Sequence, residues 1–241
     1  MDYYLLAAQK EVDFMIHGVF SYELFGQTLW ITTTHVCMSI ILLALIGFAI
    51  VVNVKVRKAN PAVASKGLVN VAEKMVEMLD GMVKNTMGEK RYRPFVNYIG
   101  TIFAFILISN ISGIFGLRPP TADFGVTFPL ALMSFTVIHF QEFKNKKLKG
   151  VIAGLCDPWP FWAPINMIGV LAVPVSLSLR LFANVLSGTA IMALVYILLN
   201  KFAILWPAAL HVYFDLFSGA IQTYVFCMLT MTYITDTFGD E

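Results

Sequence analysis

The chain has 241 residues, of which 58% are hydrophobic and 13% are charged, and its formal net charge is +2. Soluble domains carry about 25% charged residues, so this composition excludes a soluble protein and predicts an all-α polytopic membrane protein. Three scattered cysteines (Cys37, Cys156 and Cys227) form no Cys/His cluster, so we expect neither a disulfide framework nor a metal site.

Long uncharged runs predict about five membrane helices within a single membrane domain, because a span needs about 20 apolar residues. The first lies within Leu24–Val54, after residues 1–28, which we assign to an external tail. Residues 64–87 place apolar and charged side chains at helical spacing, which predicts an amphipathic interfacial helix. The other spans are predicted over Pro94–Leu117, Phe124–Gln141, Pro164–Asn200 and Pro207 to about Thr235.

Basic residues lie mainly on one side of this arrangement. Of the 17 Lys and Arg residues, 13 fall in the two connections that join the first span to the second and the third to the fourth. The positive-inside rule makes these connections cytoplasmic. Five crossings then place the N-terminus outside, the amphipathic helix on the cytoplasmic side and the C-terminus in the cytoplasm.

The last two segments, residues 164–235, are predicted to form a steeply tilted hairpin that carries the functional site. A helix of about 37 residues is about 55 Å long, whereas the hydrocarbon core is about 30 Å thick. The fourth segment must therefore tilt steeply or break at Pro174. The fifth is nearly as long and follows a short connection from Asn200 to Pro207.

Arg180 is the only charged residue between Pro158 and Asn200. A guanidinium at mid-membrane costs about 2.5–3.5 kcal/mol on insertion scales and cannot lose its proton. Ser176 and Asn184 share its helical face, together with the small residue Ser187. We favour a functional cation beside a surface that another chain can approach. The alternative is a buried arginine that a carboxylate neutralises and that only holds helices together.

A second polar stripe follows on the fifth segment. His211, Asp215, Ser218 and Gln222 recur at helical spacing, and Asp215 is the only acid from Phe202 to Thr235. An imidazole and a carboxylate one turn apart can relay protons. The alternatives are an interfacial histidine, a salt bridge from Asp215 to Arg180, and an interhelical hydrogen bond from Gln222.

Asn110, near the outer end of the second span, could line a water path or simply join helices.

No phosphate-binding loop, dinucleotide fingerprint or zinc-protease motif is present. We therefore expect no cofactor, no metal, no nucleic-acid partner and no catalytic residue in the chain itself.

Four stretches of the chain resemble subunit a of the F-type ATP synthase. The closest and most specific match is PVSLSLRLFANVLSG, residues 174–188. The others are PTADFGVTFPLAL at 120–132, PINMI at 164–168 and GAIQTYVFCMLTMTYI at 219–234. The resemblance extends roughly from Asn53 onward.

The resemblance implies a stator subunit of a rotary motor in a bacterial inner membrane. Two aqueous half-channels would pass H⁺ or Na⁺ to and from carboxylates on a ring of c subunits, which couples ion flow to rotation and ATP synthesis. A peripheral stalk subunit b and the lipid bilayer would be its other partners. The resemblance implies that Arg180 is the central arginine, that Asn184 and Gln222 lie beside it, and that Asp215 belongs to the outer half-channel.

Two departures from the family pattern affect the ion path. Thr189 stands where some relatives carry an acid or a histidine, so we expect Asp215 to take over that role. The stretch GVLAV at 169–173 lacks the charged residues of many relatives, which leaves Ser176 and Ser178 as candidates for the inner half-channel.

A secondary transporter is the competing class, but it would show internal repeats, and none is present. A purely structural subunit explains the polar stripes less well.

Overall fold

The computed structural model describes residues 18–24, 27–58, 67–156, 159–199 and 209–238. In chain order its helices are α1 (Thr33–Lys58), α2 (Leu68–Met87), α3 (Arg93–Ile111), α4 (Phe124–Leu155), α5 (Ala163–Leu199) and α6 (Ala209–Asp236). Within this described part, all but α2 are long and apolar enough to cross a membrane. The prediction of a polytopic helical protein with about five spans is therefore confirmed.

A two-stranded β-hairpin precedes the first span. Strand β1 (Gly18–Leu24) pairs antiparallel with β2 (Gln27–Thr32), and α1 begins at the next residue, Thr33. Residues 18–28 were predicted to belong to an external tail, and strands were not predicted there. Residues 1–17 of that tail lie outside the described residues.

The amphipathic helix α2 lies where the charge pattern predicted it. Val83 and Met87 on one face are buried, whereas Val71, Val76 and Met78 are exposed. A helix with an exposed apolar stripe suits the membrane surface, because lipid can cover side chains that water would not. Residues 64–66 of the predicted helix lie outside the described residues.

Helix α4 begins at a cap and continues beyond the predicted span. The carboxylate of Asp123 accepts a hydrogen bond from the backbone N–H of Gly125 at 2.9 Å, which satisfies one unpaired donor of the first turn. The helix runs past Gln141 to Leu155, with one non-helical residue, Lys147, at φ 55°. That residue lies in the basic stretch that follows the predicted span, and residues 148–155 after it are mostly apolar.

Helix α5 is a single helix of 37 residues that contains Pro174 without a break. Of the two predicted alternatives, a break at Pro174 is therefore wrong. Because α5 is longer than the membrane is thick, a steep tilt stays the prediction. Contacts between α5 and α6 join Asn184 to Ser218 and Tyr196 to His211. The later residue of α5 contacts the earlier residue of α6, so the two helices run antiparallel. Their connection, residues 200–208, lies outside the described residues.

The core lies where α3, α4, α5 and α6 meet. Its fully enclosed side chains include Ile99 and Ile106 from α3, Leu181 from α5, and Phe226 and Met231 from α6. Burial of a large apolar side chain stabilises a soluble fold by about 1.5–3 kcal/mol, but in lipid that gain is small. Close packing and interhelical hydrogen bonds therefore hold α3 and α6 together.

Candidate functional site

Three polar side chains form a hydrogen-bonded chain where α5 ends and α6 begins. The hydroxyl of Tyr196 lies 3.1 Å from Nε2 of His211, and Nδ1 of His211 lies 2.7 Å from Oδ2 of Asp215. The imidazole and the carboxylate thus contact each other as predicted. Tyr196 adds a third member from the facing helix.

The helix around Asp215 is a π-helix, Val212–Ser218, and regular α-helix resumes at Gly219. π-Helical turns occur mostly as short bulges and are frequent at functional sites. The wider turn seats the Asp215 carboxylate against Gly113, in the 3₁₀ turn Ser112–Phe115 that follows α3. Because Gly113 has no side chain, the carboxylate can lie at the junction of three helices.

Arg180 lies on an exposed face of α5 together with Ser176, Ala183 and Ser187. Among the described residues its guanidinium makes no hydrogen bond and no ion pair. The carboxylate of Asp215 pairs with His211 instead. The alternative of an internal Arg180–Asp215 salt bridge is therefore not observed, and the cation is directed away from the core.

Asn184 lies one turn beyond Arg180 and connects α5 to α6. Its amide nitrogen donates to the hydroxyl of Ser218 at 3.1 Å, and that hydroxyl donates to the amide oxygen at 3.2 Å. One turn further on, Gly188 packs on Phe214, with 3.4 Å between the Phe214 Cβ and the place where a Cβ of residue 188 would lie. The small side chains of α5 thus let α6 approach closely.

Gln222 is buried near this junction, with 8% of its surface exposed. Among the described residues its amide nitrogen has no hydrogen-bond partner. An unsatisfied buried amide costs about 1–3 kcal/mol, which is unusual for a residue that serves only to join helices. The alternative of an interhelical hydrogen bond from this nitrogen is not observed.

Asn110 links three elements. Its amide nitrogen donates to the carbonyl of Gly219 at 3.0 Å and to the hydroxyl of Thr223 at 3.3 Å, and its oxygen accepts from Thr121 at 2.7 Å. With 2% of its surface exposed, this residue is a buried joint between α3, α6 and the turn Pro120–Ala122. Its contacts are those of the helix-joining alternative, and a role in ion movement stays a prediction.

The two serines predicted for the inner path differ in environment. Ser176 lies on the exposed face with Arg180. Ser178 is fully buried, and its hydroxyl donates to the carbonyl of Val175 in its own helix at 2.9 Å. Only Ser176 is therefore placed where an ion or water could reach it.

Tyr196 and Gly113 were not predicted as site residues, although a signal for Tyr196 was present. Residues of an antiparallel helix pair face each other when they are about equally far from the connection. Tyr196 precedes the predicted turn by about as much as His211 follows it. Gly113 had no comparable signal, because its role depends on a close approach between distant segments.

Within the described residues, no group of three or more His, Cys, Asp or Glu side chains is placed to hold a metal ion. The arrangement instead consists of a lone exposed cation, a carboxylate paired with an imidazole, and an unsatisfied buried amide. These groups can bind, neutralise or pass on a small cation, but they contain no activated nucleophile.

Comparison with known proteins gives two findings. The sequence model of the family described as ATP synthase A chain matches residues 36–235. The sodium-ion-specific ATP synthase subunit a of Propionigenium modestum is 39% identical over 184 residues, which cover 70% of this chain and 62% of the relative. The chain therefore spans less than two thirds of the length of that relative.

Proposed function

The chain belongs to the ATP synthase A chain family, and on that basis we propose that it is the membrane stator subunit of a rotary F-type ATP synthase. In this role it provides two aqueous half-channels that pass a cation to and from carboxylates on a ring of c subunits. Ion flow then drives rotation of the ring, and rotation drives ATP synthesis elsewhere in the complex. The chain itself carries no catalytic residue.

The observation that carries the proposal is the exposed guanidinium of Arg180, which has no partner among the described residues and lies in an otherwise uncharged helix. A permanent cation that faces lipid would be costly, so the exposed face of α5 needs an anionic partner from another chain. The small residues Ser176, Ala183 and Ser187 leave that face shallow. A ring that presents one carboxylate after another fits such a surface.

The electrostatics of Arg180 give the mechanism. A carboxylate that passes a guanidinium in a medium of low dielectric is held in its ionised form. It therefore releases its ion into one half-channel and takes up another from the second half-channel. Because Arg180 repels cations, no ion passes directly between the half-channels, and transfer requires rotation of the ring.

His211 and Asp215 are proposed to line the outer half-channel, since the positive-inside rule places the start of α6 on the outer side. Their 2.7 Å contact lets the pair exchange a proton. Asn184 and Gln222 are proposed to lie where the path approaches Arg180. Asn110 is proposed to hold α3 against α6 beside the path. Ser176 is the candidate on the inner side.

The transported ion is proposed to be H⁺ or Na⁺. The relative from Propionigenium modestum is described as sodium-ion specific. In this chain the carboxylate of Asp215 can attract either ion, whereas the imidazole of His211 suits proton exchange. The ion site itself is proposed to lie on the c subunits.

A bacterial inner membrane, with the N-terminus outside and the C-terminus in the cytoplasm, is the proposed location. It follows from the distribution of the basic residues over the connections. The c-ring and a peripheral stalk subunit b are the proposed partners.

Cysteine cross-linking in the assembled complex tests the proposed interface. A cysteine at Ala183, on the exposed face of α5, should cross-link to a cysteine placed near the carboxylate of the c subunit. A cysteine at Leu177, which is buried with 2% of its surface exposed, should not. The three native cysteines are replaced beforehand. Cross-linking at position 177 but not at 183 would refute the proposed orientation.

A further inference from the structure

We infer that Tyr196 is a positioning residue for His211, and this inference rests on the proposed function. The phenol of Tyr196 reaches across from α5 and contacts Nε2 of His211 at 3.1 Å. On the other side of the imidazole, Nδ1 of His211 lies 2.7 Å from Oδ2 of Asp215. Both ring nitrogens of His211 are therefore engaged, one by each helix.

The two contacts fix the orientation of the imidazole. In the neutral ring, one nitrogen carries a proton and the other accepts. With Asp215 ionised, Nδ1 donates its proton to the carboxylate, and Nε2 is left as an acceptor for the Tyr196 hydroxyl. The carboxylate of Asp215 thus selects the tautomer whose proton faces it, and Tyr196 holds the ring in place by donating to Nε2.

The hydroxyl of Tyr196 can also serve the charged ring. A tyrosine hydroxyl both donates and accepts, so it can rotate and accept from Nε2–H once His211 is protonated. The imidazole then keeps the same partners in both protonation states. A ring held in this way can gain and lose a proton without moving away from Asp215, which lowers the reorganisation needed for each exchange.

The surroundings of the three side chains support a positioning role. About 32% of the His211 side chain is exposed, against 13% for Asp215, and Tyr196 is exposed at 47%. Exposure therefore falls along the direction from Tyr196 and His211 to Asp215. Gly113 closes the far side of the carboxylate. Tyr196 and His211 lie at the open end, where water can reach the imidazole.

Other charged groups on the neighbouring elements are few. Arg118 and Asp123 lie in the connection between α3 and α4, and Arg180 lies four turns before Tyr196 on α5. Asp215 and Tyr196 are the titratable groups that hydrogen-bond to His211 within the described part of the chain.

The test is a double-mutant cycle in the assembled complex, with passive ion flux through the membrane sector as the readout, normalised to the amount of complex. Tyr196→Phe keeps the ring but removes the hydroxyl, and we expect the flux to fall by about 3-fold to 10-fold. His211→Gln should lower it further. In the double variant, the Tyr196 substitution should add nothing to the effect of His211→Gln, because Tyr196 acts through His211.

Tyr213→Phe is the matched control, since the hydroxyl of Tyr213 has no hydrogen-bond partner among the described residues. It should leave the flux unchanged. A second readout is the dependence of flux on pH at the side where His211 opens. Tyr196→Phe should displace that profile, whereas a merely structural defect would scale the flux equally at every pH.

The inference would be overturned if the double variant lost flux by the product of the two single losses. It would also be overturned if Tyr196→Phe left the flux unchanged, as Tyr213→Phe should. Neither outcome would touch the proposed function, which depends on Arg180. If Arg180→Ala left ion transport intact, the proposed function would fail regardless of how Tyr196 behaves.

Discussion

The carboxylate of Asp215 lies so close to Gly113 that a side chain at position 113 would push it aside. A Cβ added there would lie 3.0 Å from both Cγ and Oδ2 of Asp215. The backbone of Gly113 has an ordinary negative φ, so the constraint is one of space and not of conformation. The 3₁₀ turn after α3 therefore limits the position of the Asp215 carboxylate.

Gly113→Ala should displace the Asp215 carboxylate from His211. Loss of one hydrogen bond corresponds to about 0.5–1.5 kcal/mol, so we expect ion flux to fall between about 2-fold and 12-fold in complexes that still assemble. Gly47→Ala is the control, because an added Cβ at position 47 meets nothing within 4 Å. Equal flux in the two variants would show that Asp215 does not need its present place.

Asp215→Asn should slow ion flux more severely than any neighbouring change. The amide keeps the size of the side chain but cannot exchange a proton, and a positioned acid or base contributes about 100-fold or more to proton transfer. Asp215→Glu keeps the carboxylate and should be milder, although its extra methylene has to fit beside Gly113. Flux measured in inverted membrane vesicles compares the two, and a normal rate for Asp215→Asn would remove this residue from the ion path.

Gly219→Ala should destabilise the packing of α3 against α6. An added Cβ would lie 2.8 Å from the Cβ of Asn110, and the helix backbones would have to separate. Overpacking of this kind costs about 1–3 kcal/mol. Thermal denaturation of the purified complex measures the loss, with Gly100→Ala as the control because its nearest neighbour would lie at an ordinary 3.7 Å. Matching midpoints for the two variants would argue against a close α3–α6 contact.

Ser218→Ala should loosen the link between α5 and α6 beside Arg180. The substitution removes both hydrogen bonds to Asn184 and should lower coupled ion pumping by about 2-fold to 10-fold. Thr232→Val is the control, since within the described ranges the hydroxyl of Thr232 bonds only to its own helix. Should both variants pump equally well, the Asn184–Ser218 contact has no part in transport.

Much of the fold was predictable because charge is expensive in a membrane. The boundaries of α5, Ala163–Leu199, lie within one residue of the predicted Pro164–Asn200. The hairpin β1–β2 was not predictable in this way, since it lies outside the membrane spans and pairs short segments. The true start of α1, at Thr33, follows from where that hairpin ends.

Within the candidate site, contacts between neighbouring turns were easier to predict than contacts between helices. A spacing of four residues predicted that His211 and Asp215 share one helical face, and in the structure the two side chains are hydrogen-bonded. The π-helical turn around Asp215 was not predicted, because its extra residue per turn depends on packing against α3 and not on local propensity. For the same reason the sequence could not show that Gly113 lies against Asp215.

ATP-driven ion pumping by an Arg180→Ala variant tests the central claim most directly. The exposed guanidinium of Arg180 is proposed to ionise the carboxylates of the c-ring and to separate the two half-channels. The variant should therefore assemble with the other subunits and hydrolyse ATP but pump no ions. Arg180→Lys should pump poorly, because an ammonium enclosed between this chain and the c-ring can lose its proton. Normal pumping by assembled Arg180→Ala complexes would contradict the account.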